Sequence, residues 1–322
     1  MDGFPWMLEA RRLAERRELL VPNLYLAGHI LSHRPWSFYM TEVDSPESAR
    51  RLVREQVAAG CDFIKIHNSM PEPLFSAIVE TAAEARVDVA GHIPNEIPIA
   101  DAIAAGFHTN EHFKGYIFDE TLEITDQDYV EATRDSAMWH TPTFTTYHDH
   151  LRGEASRELA DAEGGLPLVP RWMRRMWAEQ AAQKVDRLTE LRQSVYPKSR
   201  TLFSRIRPLT DRFLAGTDTG TYAYLVPGYA LQEEIRIFED LGMSPAEALA
   251  TATVNPARAF GQSDRFGTVE PGKRADFVLL EASPLESSAH LSEIAGVGVR
   301  GVFLDRDRLA EVRARLAAIF SD

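Results

Sequence analysis

The chain has 322 residues, 44% hydrophobic and 26% charged, enough to bury a large core in one α/β domain or two smaller ones. Its 35 Lys and Arg stand against 48 Asp and Glu, and the net charge of -13 argues against binding a phosphate backbone. A single cysteine, Cys61, excludes an intrachain disulfide and a thiolate-built zinc site, and no apolar run approaches the ~20 residues of a membrane-spanning helix.

In chain order, residues 8–20 read as a charged amphipathic helix and 23–28 as a short apolar strand. Charges stand where a secretory signal would place its apolar core, so no signal peptide is expected in this stretch and no compartment is assigned. Ser45-Pro46-Glu47 opens a helix running to about Ala59, with Ser45 as cap, Pro46 in the first turn and Gly60 ending it. The run 61–67 is a strand, 72–84 a helix, 87–92 a strand and 98–105 a helix, followed by a strand ending near His112. Further strands are expected at 141–145 and 212–215, a mostly helical insertion at 150–207, and a helix at 225–241. Ser244 caps a later helix, 266–280 and 296–304 read as a small antiparallel β unit, and a charged helix at 306–319 closes the chain. Strands alternating with helices through short connections imply a parallel sheet covered by helices.

Four residues fall at or near the C-terminal ends of expected strands: Lys65, His92, His112 and Asp218. In a parallel α/β barrel the active site forms at that end, where the strands converge on one mouth. Two imidazoles and a carboxylate suit a borderline divalent metal such as Zn²⁺, and a lysine in an apolar strand must find a partner, lose its proton or be modified. Each residue also has a plainer reading. His92 and His112 read equally as capped or core histidines, Asp218 between glycines as turn chemistry, and Lys65 as a strand-edge charge.

The chain resembles the amidohydrolase superfamily, in its imidazolonepropionase- and Xaa-Pro dipeptidase-like branch. The residues that carry the resemblance are DFIKIH at 62–67, AGHIP at 90–94, NEHFKGY at 110–116 and LAGTDTG at 214–220. Most specific is the tail, LGMSPAEALATATVNPARAFG at 241–261 followed by GTVEPGKRADFVLLEASPLE at 267–286. The resemblance implies a metal-bearing TIM-like (β/α)₈ barrel over 1–262 and a β-sandwich portion with a terminal helix over 263–322. It implies a carboxylated Lys65 bridging two metals, His92 and His112 on the second metal, and Asp218 as both ligand and general base. The implied reaction is hydrolysis of an amide or peptide C–N bond by metal-activated hydroxide, on a dipeptide, an N-acyl amino acid or a cyclic amide.

The same resemblance expects a His-x-His pair on the first barrel strand, and nothing upstream of NLYLAG at 23–28 is such a strand. The barrel is therefore expected to lack its first two strands, and the alternative function is a non-catalytic remnant with a partial metal site. His148-Asp149-His150 has the His-x-His spacing, and on a strand its imidazoles would share a face, but a substrate-contacting or solvated loop is the other reading. His33, Tyr116 and Tyr147, and the more distant Arg152, are candidate substrate contacts. The expected partner is a small-molecule or peptide-like substrate, without nucleic acid or membrane; homo-oligomer formation stays open.

Overall fold

The computed structural model describes residues 5–117, 127–152, 161, 164–182, 186–220 and 224–321. They form two compact units, Met1–Pro142 with Thr201–Phe213 and Thr143–Arg200 with Leu214–Asp322. The division expected at 262/263 falls inside the second of these.

The first unit holds six parallel strands: β1 (Ile30–Ser32), β2 (Met40–Glu42), β3 (Phe63–Ile66), β4 (Asp88–Gly91), β5 (Thr109–Glu111) and β6 (Trp139–Thr141). They line up in the order β2-β1-β3-β4-β5-β6. Helices α1 (Pro5–Glu15), α2 (Pro46–Ala59), α3 (Glu72–Ala85), α4 (Ile99–Ala104) and α5 (Gln127–Glu131) belong to the same unit. Every side chain of β3 is buried, as strands covered on both faces require, and this includes Lys65. Helix α2 forms as its sequence dictates: the Ser45 hydroxyl accepts from the Ser48 N–H, Pro46 sits in the first turn, and Gly60 closes the helix in the left-handed region.

Two expected strands shrink. Of 23–28 only Ala27 pairs, with Phe63, because the Asp62 carboxylate takes the Leu26 N–H at 2.7 Å. Of 212–215 only Phe213 pairs, with His140.

In the second unit the chain turns helical at Phe144, not strand-like to 145 as expected. Helix α6 (Phe144–Arg152) starts there because the buried Glu234 carboxylate accepts the Phe144 and Thr145 N–H groups at 2.9 and 2.7 Å and the Thr145 hydroxyl at 3.0 Å. These N–H groups have no partner within the helix, and a carboxylate there also meets the positive end of the helix dipole. Helices α7 (Arg171–Ala182), α8 (Asp186–Ile206, assigned to the first unit from Thr201 on), α9 (Tyr229–Asp240), α10 (Pro245–Ala250) and α11 (Val254–Ala259) follow. A capping box between Ser244 and Glu247 starts α10. Strands β7 (Phe277–Leu280), β8 (Ile294–Val299) and β9 (Val302–Asp305) make an antiparallel three-stranded sheet, and α12 (Arg306–Ser321) ends the described chain.

The parallel sheet of the first unit and the antiparallel sheet of the second are those of an incomplete TIM-like (β/α)₈ barrel with its C-terminal β-sandwich portion. Among the described residues no helix is long and apolar enough to cross a membrane.

Candidate functional site

Three adjacent parallel strands each present a histidine one residue past their C-terminal end: His67 after β3, His92 after β4 and His112 after β5. Their backbone N–H groups continue the ladder, donating to Leu31, Ile66 and Thr141 carbonyls at 3.1, 3.1 and 2.9 Å. The rings follow one another at close range. The His67 and His92 centroids lie 4.5 Å apart, and His92 meets His112 edge-on at 5.0 Å.

Backbone geometry makes this possible. Gly91 has φ +117°, and a Cβ there would collide with the Ile66 carbonyl oxygen and lie 3.1 Å from Lys65 Cγ. Only glycine lets β4 approach β3 this closely just before His92. His112 and Phe113 adopt φ of +59° and +55°, left-handed conformations that cost of order 1 kcal/mol or more each and concentrate at functional sites.

His92 Nδ1 hydrogen-bonds to Asn68 Oδ1. An amide oxygen only accepts, so Nδ1 carries the proton and Nε2 keeps its lone pair, the arrangement that orients an imidazole as a metal ligand. Burial holds the His92 pKa well below its usual value, and the neighbouring His112, His67 and Lys65 push it the same way, so this ring is neutral. Lys65 is only 7% exposed and Glu111 2%. Burial raises the Glu111 carboxyl, opposed by the Lys65 charge and by the Thr109 hydroxyl, which donates to it at 2.8 Å.

The donor chemistry of His92 and His112 suits a borderline divalent cation. A closed cage is not formed: among the described residues no group of three or more His, Cys, Asp or Glu side chains is disposed to hold a metal ion.

The remaining candidates are placed as follows. His33 is half-buried, its Nδ1 2.9 Å from the Val43 carbonyl. Tyr116 is fully buried against Phe113 and His140, and burial pushes its phenol above the ordinary range. Asp218 belongs to the second unit, half-buried at φ +50°, next to Thr217, whose carbonyl accepts from Thr146 Oγ1 at 2.9 Å. Tyr147, half-buried, lies on α6 together with His148, which is 3.9 Å from Glu233. In a helix positions two apart do not share a face, so the His-x-His argument made for a strand lapses at 148–150. The side chains of Asp149, His150 and Arg152 lie outside the described residues.

Sequence reasoning missed His67, Asn68, Glu111 and His140. His67 had a signal: it follows Lys65 by two, the spacing that keeps two side chains on one face of a strand.

The amidohydrolase family model matches residues 7–305. The chain belongs to the amidohydrolase family. Among curated amidohydrolase-like relatives, ochratoxinase of Aspergillus niger is 26% identical over 260 residues, 76% of this chain and 45% of that protein. Imidazolonepropionase of Geobacillus kaustophilus is 54% identical over 39 residues, 12% of this chain and 9% of that protein. The chain thus spans from about a tenth to about half the length of these relatives. Among solved structures, bottromycin amidohydrolase superposes with a TM-score of 0.77 at 20% identity, covering 97% of this chain and 71% of that one, a likeness of fold.

Proposed function

We propose that Lys65, His92 and His112 are half of an amidohydrolase metal centre, and that the 322-residue chain binds one divalent cation weakly there without turning over substrate. The observation that carries this reading is the pair of strand-end imidazoles, with the His92 tautomer set by Asn68, in a site that lacks a third converging His, Cys, Asp or Glu among the described residues. Zn²⁺ is a cation well matched to two imidazole donors. Carboxylation of Lys65 would add an oxygen donor, and so a bridge in a two-metal centre.

A bound divalent cation would polarise a scissile carbonyl and lower the pKa of water. The chain's own part is narrower. His92 and His112 present nitrogen donors and Asn68 keeps the His92 proton on Nδ1; Asp218 would serve as general base only under the second, hydrolytic reading given next. We assign the barrel to 1–262 and the β-sandwich portion with the terminal helix to 263–322. Tyr147 and His33 are the side chains we place toward substrate, and Tyr116 stays a lesser candidate because it is fully buried.

The second reading is a metal-dependent hydrolase cleaving an amide C–N bond of a dipeptide, N-acyl amino acid or cyclic amide. The family match favours it. Equilibrium dialysis against Zn²⁺ with bicarbonate, followed by elemental analysis, separates the two. One exchangeable metal per chain at most, lost in His92→Ala/His112→Ala, is the expected result. Two tightly held metals with turnover of an N-acyl amino acid would overturn it in favour of the hydrolase.

A further inference from the structure

The connection between β1 and β2 is short for the topology it makes. The two strands are parallel neighbours, Ile30 opposite Met40 and Ser32 opposite Glu42, yet only residues 33–39 join them. Parallel neighbours ordinarily need a crossover of a dozen or more residues. The tight return is pinned at both ends: the His33 N–H donates to the Ser69 carbonyl at 2.9 Å, the Ile30 N–H to Tyr39 at 3.1 Å and the Met40 N–H to Ser37 at 3.1 Å. Between these anchors Trp36 is 65% exposed and Phe38 81%.

Single apolar side chains on a surface need no explanation, but these are contiguous and lead somewhere. Phe38 meets Tyr39 edge-on at 5.5 Å, and Trp36 meets Tyr39 at 5.8 Å and His67 at 6.1 Å. His67 in turn lies 4.5 Å from His92. A continuous series of rings therefore runs from the most exposed aromatic of the loop to the half-buried imidazoles at the strand ends. Burying a Trp or Phe side chain is favourable, a gain this loop forgoes. Trp36 keeps 65% of its surface exposed despite these contacts, and a planar guest is the natural partner for an exposed aromatic ring.

We infer that Trp36, Phe38 and Tyr39 form a platform for the aromatic side chain of an N-acyl amino acid, whose amide group then reaches toward His92. The choice of an amide-bearing ligand rests on the proposed metal centre; the choice of an aromatic side chain rests on the loop alone. His67 is in ring contact with both Trp36 and His92, so one imidazole links the platform to the strand-end site.

The test is calorimetric titration of the full chain, metal-free and with Zn²⁺, using N-acetyl-L-phenylalanine and N-acetyl-L-alanine. The phenylalanine derivative is expected to bind at least tenfold more tightly in both forms. That preference should fall to within twofold in Trp36→Ala/Phe38→Ala and persist in Trp172→Ala, which removes an equally exposed indole elsewhere. Equal affinities, no measurable binding, or a preference that survives the double variant would each overturn the inference. Far-UV circular dichroism checks that the loop variants stay folded. Failure of the metal reading shows up separately, as Zn²⁺ retained by His92→Ala/His112→Ala, and leaves the metal-free comparison intact.

Discussion

Four histidines of one parallel sheet meet two different fates. His67, His92 and His112 each follow the last residue of a strand and gather ring to ring, while His140 lies inside β6 and is sealed in the core. Phe113, Tyr116 and Phe213 surround it at 5.7–6.1 Å, and neither of its ring nitrogens has a hydrogen-bond partner among the described residues. Burial alone lowers its pKa to about 3. The difference is one of position along the strand. A residue past the strand end points into the mouth, where other strand ends converge, and a residue within the strand faces only its covering layer.

The sharpest way to break the contrast is to disturb the backbone that creates the cluster. Gly91→Ala combines a collision with the Ile66 carbonyl and a positive φ that alanine avoids, and should cost about 4 kcal/mol in denaturant-unfolding stability. A loss below about 1 kcal/mol would mean that β3 and β4 separate easily and that the ring spacing is not built into the sheet.

The core histidine should reveal itself through pH. The unfolded chain protonates His140 near pH 6.5 and the folded chain only near 3, so its neutral form stabilises the fold fully above about pH 6.5, and stability declines as pH falls through that window. Between pH 6.5 and 4.5 the loss should reach about 2 kcal/mol, and His140→Phe should remove that part of the slope. If denaturant titrations of the two proteins ran parallel over this range, His140 would have a buried partner and the contrast would weaken.

The smallest expected effect is on the cluster's second layer. Asn68→Ala frees the His92 tautomer without removing a ligand, and should weaken Zn²⁺ binding about tenfold by calorimetry while leaving folding unchanged. Unchanged affinity would show that His92 does not depend on Asn68 for its orientation.

Much of this was legible. The alternation of capped helices with apolar runs marks the parallel sheet, and the strand-end placement of Lys65, His92 and His112 follows from those runs. The boundary at 141–145 was not legible, because TPTFT is rich in β-branched residues and reads as strand. What starts a helix at Phe144 is the carboxylate of Glu234, 90 residues further along the chain, and no local pattern announces it. His140 was hidden by the same misplaced strand: once β6 is known to be Trp139–Thr141, His140 is its middle residue. The Trp36 loop escaped notice because a parallel return this short has no pattern in sequence.

Cys61 gives the sheet a built-in chemical clock. It is the only thiol in the chain, buried, and two residues before the strand that carries Lys65 toward His67. Under native conditions an alkylating reagent reaches it when that edge of the strand opens, so its labelling rate against that of the unfolded chain measures the opening free energy directly. One reagent and one mass measurement thereby time the loosening of β3, and Zn²⁺ held at the end of that strand would slow the clock.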